Sequence, residues 1–150
     1  MSDEAPTRER ARLTLRHAGI ADIPSIVALS ERVYGPESGY TAEMLTGQIA
    51  QFPEGVFVAF YDELAGGGCA TFRLDERTAM APHRWLEISG GGYASRHLST
   101  GDWLYGMEVC VDPAHRGLRI GRRLYELRKR LCQDRGLKGI VFGGRLPGYG

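Results

Sequence analysis

The sequence predicts an α/β fold built as a single domain, and three observations carry this. Segments of strand and helix character alternate along the chain. The stretch from Val109 to Leu124 passes from a strand through a glycine turn into a helix. The composition, 43% hydrophobic and 25% charged over 150 residues, is that of a globular protein large enough for one packed core, with neither an internal repeat nor a low-complexity segment.

Leu13-Thr14-Leu15-Arg16 alternates as a half-buried strand does. Asp22 then caps a helix in which Ile23, Ile26, Val27 and Val33 recur at helical spacing, with Pro24 in the first turn, where a missing N–H costs nothing. Gly35-Pro36 ends it, and Thr41 opens a shorter helix through Met44, Leu45, Gln48 and Ile49 that Pro53 stops. Val56 to Tyr61 is a run of β-branched and aromatic residues and reads as a strand. A turn at Asp62-Glu63 sends the chain back along a second strand to about Leu74, loosened by Gly66-Gly67-Gly68. Glu76 to Gly101 reads as a polar linker, too long for a simple turn and so expected to be a functional loop. Asp102 to Val111 is the next strand, closed by Asp112-Pro113 because proline cannot donate to a ladder. Ile120, Leu124, Leu127 and Leu131 mark a helix that begins near Leu118 or Arg119 and stops at Gly136, with Arg122, Arg123, Arg128 and Lys129 between the apolar positions. Gly139 to Phe142 is the last strand.

The turn before that helix is suited to an anion. The first backbone N–H groups of a helix have no intrahelical partner, and the macrodipole adds partial positive charge at the same end. Gly117 and Gly121 let a pyrophosphate reach the main chain, and Arg116, Arg119 and Arg122 add charge that is never titrated away. Two other phosphate motifs fit less well. Gly-x-x-x-Gly is not the dinucleotide pattern Gly-x-Gly-x-x-Gly, and the Gly-Lys-Ser/Thr ending of a Walker loop is missing. The plain alternative is a connector followed by a solvated basic helix face.

Residues 116–121, Arg-Gly-Leu-Arg-Ile-Gly, following a strand that ends Val111-Asp112-Pro113, resemble motif A of the GNAT superfamily of acyl-CoA-dependent N-acyltransferases. The order β-α-α-β-β-β-α-β is similar to the core order of that fold, so the resemblance covers almost the whole chain. It implies a mixed central sheet with flanking helices and acetyl-CoA as cosubstrate. It also implies that main-chain groups of Val109, Cys110 and Val111 pair with the pantetheine arm, and that the N–H groups of Gly117, Leu118, Arg119, Ile120, Gly121 and Arg122, with Arg116 beside them, hold the pyrophosphate. Arg119 departs from the family pattern, which usually has glycine there; its guanidinium could itself pair with phosphate.

The stretches 85–93, 101–111 and 142–149 further resemble the N-terminal acetyltransferase module of bacterial proteins that fuse such a domain to a carbon–nitrogen hydrolase of the nitrilase type. The resemblance implies a flexible tail over 1–12 and a GNAT domain over 13–150. It also implies that a closing helix and two strands are missing after the fifth strand and that a hydrolase domain follows in a longer protein. On that expectation Val141 and Phe142 lie at an uncovered edge, and the chain alone is marginally stable.

Acyl transfer to an amine needs a base near the thioester and an acid for the leaving thiolate. Glu108 is the carboxylate within the strand that would flank the cofactor, and so the candidate catalytic base; a glutamate on a strand is also commonly a solvated face or an ion-pair partner. Tyr105, three residues earlier, either relays a proton through water or packs as an aromatic. The family's usual general-acid tyrosine belongs to the absent helix, so Tyr149 is not given that role and the acid is unassigned. Cys110 has no histidine in a recognisable arrangement and reads as core. In the linker, Arg84, Arg96 and His97 could address a carboxylate of the substrate.

The remaining features narrow the classes. The net charge of +1 gives no global reason to expect nucleic acid or an acidic membrane, and the basic helix has little aromatic interleaving beyond Tyr125. Three cysteines and four histidines lack ligand spacing, so no metal is expected, and reduced thiols fit a cytoplasmic protein. Residues 1–12 lack the apolar core of a secretory signal, and no run approaches membrane-spanning length. The partners expected are an acyl-CoA and an amine. A second possibility is a non-catalytic acyl-CoA-binding regulatory module of a larger hydrolase.

Overall fold

The computed structural model describes residues 12–114 and 119–145, the last three by their backbone alone. The expected tail, apart from Arg12, lies outside these residues, as do Arg116, Gly117 and Leu118 of the motif and Tyr149. Five strands form one mixed sheet in chain order: β1 (Leu13–His17), β2 (Val56–Tyr61), β3 (Leu64–Leu74), β4 (Trp103–Val111) and β5 (Gly139–Arg145). All neighbours are antiparallel except β4 and β5, which run parallel. A parallel pair needs a crossover, and helix α5 (Ile120–Asp134) supplies it.

Helices α1 (Ile23–Tyr34) and α2 (Ala42–Gln51) connect β1 to β2. Thr41 caps α2 through its hydroxyl, which accepts from the Met44 N–H at 3.1 Å. Asp22 does not cap α1 in the expected way. Its carboxylate instead accepts from the Gly19 N–H and from both terminal nitrogens of Arg16 at 2.7 and 2.9 Å, which holds it below the usual carboxylate range.

Which helices cover which face follows from strand alternation. A Cβ at Gly67 would lie 2.5 Å from Ile120 Cγ2 of α5, while the next residue, Gly68, lines a cavity with Ile26 and Leu29 of α1 and Leu45 of α2. Helix α5 therefore covers one face and α1 with α2 the other. Phe72, Val58, Leu104, Met107, Leu29 and Leu124 are fully buried between these layers, each worth about 1.5–3 kcal/mol of apolar burial. Gly67 is small because the first turn of α5 sits on it. Gly67→Val is therefore expected to destabilise by about 1–3 kcal/mol, lowering the melting temperature by roughly 2–12 °C; an unchanged melting temperature would mean that α5 is not seated on β3.

The linker expected as a functional loop carries two short helices, α3 (Glu76–Met80), capped by Asp75 Oδ1 on the Thr78 N–H at 2.8 Å, and α4 (Trp85–Ile88). Arg128 does not lie on the solvated face of α5. It is 2% exposed, because positions 120, 124 and 128 fall on one helical stripe, and its guanidinium stacks 4.7 Å over the Phe142 ring. The helix also starts at Ile120, slightly later than expected, and β5 runs three residues further, to Arg145.

Candidate active site

The site begins with an irregularity in β4. Ala70 of β3 faces Glu108 and Thr71 faces Gly106, so Met107 is an extra residue, a β-bulge. The same place shifts the β5 register, where Gly106 faces Phe142 and Glu108 faces Arg145. The described β4–β5 register ends at Glu108, whereas the β4–β3 register runs on to Val111 opposite Gly67. The Met107 carbonyl accepts from the Trp85 indole N–H at 2.8 Å, which pins the linker to the bulge.

Glu108 is 7% exposed and lies on the α1/α2 face, where it lines a small cavity with Cys110, Ser30, Tyr40 and Gln48. A carboxylate in such a place is shielded from bulk water and close to the outer cleft that Tyr40 also lines. That cleft, of about 640 Å³, is bounded by Glu37, Tyr40, Met44, Trp85 and Leu86. Tyr40 and Trp85 stand 6.0 Å apart in a tilted pair, an arrangement suited to an apolar or cationic group.

Beyond Val111 the chain is held by Asp112, whose carboxylate accepts from Arg32 Nε at 2.9 Å and from the Ala114 N–H at 3.0 Å. Arg32 also donates to the Ala65 carbonyl at 2.7 Å, so α1, β3 and the end of β4 share one anchor. At the start of α5 the first intrahelical bond runs from the Arg123 N–H to the Arg119 carbonyl. The amides of Ile120, Gly121 and Arg122 precede it and so have no intrahelical acceptor. Arg119 occupies the left-handed region at φ 59°, ψ 29°, which costs an L-residue about 1–2 kcal/mol and suits glycine. Among the described residues a Cβ at Gly121 would meet only Val111 Cγ2, at an ordinary 3.6 Å, so their packing does not demand glycine there. Arg119, Arg122, Arg123 and Arg130 line a cleft of about 440 Å³ beside Leu15, with Glu126 as its acidic member.

Other candidates separate from this region. His97 Nδ1 accepts from the Arg73 N–H at 3.0 Å and the ring stacks on Phe52; burial and Arg73 keep its pKa low, so it anchors the linker as a neutral imidazole. Arg96 donates to the Glu87 carbonyl and lines a different cleft with His83. Arg84 stands at the N-terminus of α4. Tyr105 is buried against Phe72, its hydroxyl 3.0 Å from His83 Nε2, and burial raises its pKa. Cys69, Cys110 and Cys132 are buried and outside any disulfide, and desolvation pushes Cys69 up to about 12. Among the described residues no group of three or more metal-binding side chains is present, and no helix is long and apolar enough to cross a membrane. Sequence reasoning missed Tyr40, Trp85 and Gln48; the half-buried indole in the linker is the signal that could have pointed to an anchor there.

Known proteins share this architecture. The family model described as "Acetyltransferase (GNAT) family" matches residues 23–145. The chain is 34% identical over 143 residues to the Probable hydrolase YhcX of Bacillus subtilis (strain 168), an alignment covering 95% of this chain and 28% of that protein. It is 27% identical over 146 residues to the Uncharacterized N-acetyltransferase YkwB of the same organism, covering 95% of this chain and 65% of that protein. The chain thus spans less than two thirds of the length of either relative. Among solved structures, the GphF GNAT-like decarboxylase in complex with isobutyryl-CoA matches with a TM-score of 0.77 at 25% identity, over 91% of this chain and 68% of that one. With the family model spanning most of its length, from the first helix to the last strand, the chain belongs to the acetyltransferase (GNAT) family.

Proposed function

We propose that this chain transfers the acetyl group of acetyl-CoA directly to an amine, with Glu108 as the base. The observation that carries the reading is the junction of β4 and α5. A shielded carboxylate on the inner face of β4 is followed, twelve residues later, by a helix start whose first amides lack an intrahelical acceptor, with a glycine and several arginines lining one cleft. The amides of Ile120, Gly121 and Arg122 and the guanidiniums of Arg119 and Arg122 bind the pyrophosphate, and Arg116, Gly117 and Leu118 of the family motif share in binding it. Main-chain groups of Val109, Cys110 and Val111, where β4 runs past the β5 register, align the pantetheine arm. Glu108 takes a proton from the amine as the N–C bond forms and the C–S bond breaks; the thiolate leaves and is protonated by a group not assigned among the described residues. The cleft at Tyr40 and Trp85 receives the acceptor, with Glu37 at its rim for a positive charge.

A second reading has a specific observation behind it: the YhcX match, a probable hydrolase of which this chain covers 28%. Under it the domain binds acyl-CoA and regulates an attached hydrolase without turning the thioester over. Isothermal titration with acetyl-CoA followed by a thiol-release assay over an amine panel separates the two. Binding with amine-dependent thiol release supports the transferase; binding without release from any amine supports the regulatory module.

Arg119 offers a test of opposite signs. Arg119→Gly is expected to stabilise the fold by about 1 kcal/mol by relieving the left-handed backbone, and to weaken acetyl-CoA binding by about 10- to 100-fold, the loss of a charge-assisted hydrogen bond. Thermal melting and titration check both; a variant that binds as tightly as the parent would remove the guanidinium from the phosphate site.

A further inference from the structure

Gln48 lies in the second turn of α2 and is 1% exposed. Its Nε2 donates to the Gly92 carbonyl at 2.8 Å. A carbonyl can only accept, so this contact fixes the orientation of the amide and leaves Oε1 as the atom without a protein donor. Among the described residues Oε1 has no hydrogen-bond partner, and a buried acceptor left in that state is costly. Gln48 lines the small cavity of about 20 Å³ that Glu108, Tyr40, Ser30 and Cys110 also line. A space of roughly 10–15 Å³ on this measure is enough for one water, provided polar partners surround it. An amide carbonyl only accepts, and so does a carboxylate in the form that acts as a base, so neither can satisfy the other. One water has two hydrogens to give.

We propose that a single buried water bridges Gln48 Oε1 and the Glu108 carboxylate, and that Gln48 is thereby a positioning residue for the base. This rests on the reading of Glu108 given above. The water holds one carboxylate oxygen toward the interior and so sets the orientation of the carboxylate. Through Nε2 the same side chain ties the linker at Gly92 to the base, so the segment that carries Trp85 of the acceptor cleft and the carboxylate beside it are set by one amide.

A crystal structure of the wild-type chain at a resolution that shows waters is expected to place one within about 2.6–3.2 Å of both Gln48 Oε1 and a Glu108 oxygen. An empty cavity, or Oε1 bonded to a protein group, overturns the water. Gln48→Met, close to isosteric and tolerated in cores, tests the role, assayed with acetyl-CoA and the best acceptor of the amine panel. It is expected to lower kcat about tenfold with KM for acetyl-CoA within about twofold, and to cause no further loss in a Glu108→Gln background. Equal losses in both backgrounds indicate a merely structural glutamine and overturn the positioning role. If Gln48→Met fails to fold, Gln48→Leu goes through the same cycle. Should Glu108→Gln leave turnover intact, the reading of Glu108 fails and takes Gln48's role with it, while the electron density still decides the water.

Discussion

Glu108→Gln should lower turnover by about 100- to 10,000-fold while leaving the affinity for acetyl-CoA nearly unchanged, the loss typical of a single general base. The substitution keeps the volume of the side chain and its place among Ser30, Tyr40 and Gln48, so the α1/α2 face stays packed. What disappears is the ability to accept a proton on the inner face of β4. The first amides of α5, which lack an intrahelical acceptor, lie past the end of the strand and are untouched, which is why binding should survive. Turnover within twofold of the parent over the whole pH range would exclude Glu108 from the chemistry.

Gly121→Trp should abolish acetyl-CoA binding in a chain that remains folded. The position sits in the first turn of α5, where among the described residues an added Cβ meets Val111 Cγ2 alone, at an ordinary 3.6 Å, so a larger side chain is not driven into the described core. An indole there blocks main-chain approach by a pyrophosphate. Gly121→Ala is the control: its methyl meets Val111 at an ordinary distance, and melting should be close to that of the parent. Equal affinities in folded parent and Gly121→Trp protein would show that the phosphate binds elsewhere.

The parts of this molecule legible in its sequence are those written in local chemistry. Thr41 announces α2 because a hydroxyl at that position has an N–H to accept. The run from Val56 to Tyr61 is apolar at every position because β2 is interior to the sheet, and that strand has the bounds its residues imply. Asp112-Pro113 closes β4 where a donor is lost. The parts that were not legible depend on distant residues. The bulge at Met107 arises from two registers at once and leaves no mark in the sequence around it. Helix α4 is four residues long, too short for a periodic pattern, and is held by an indole bond to a strand 22 residues away. Arg128 reads as a surface residue by type, and only its position one stripe beyond Ile120 and Leu124, with Gly106 leaving room and Phe142 beneath the guanidinium, buries it. The acceptor cleft and Gln48 belong to the same class, since both join α2 to the linker across 44 residues of chain.

The most direct test of the account is the identity of the products. Incubated with acetyl-CoA carrying an isotopically labelled acetyl group and the best amine of the panel, the protein is expected to yield labelled N-acetyl amine and free CoA in equal amounts, as mass spectrometry would show. Free CoA with labelled acetate and unmodified amine, or no consumption of the thioester with any amine despite tight binding, would contradict it.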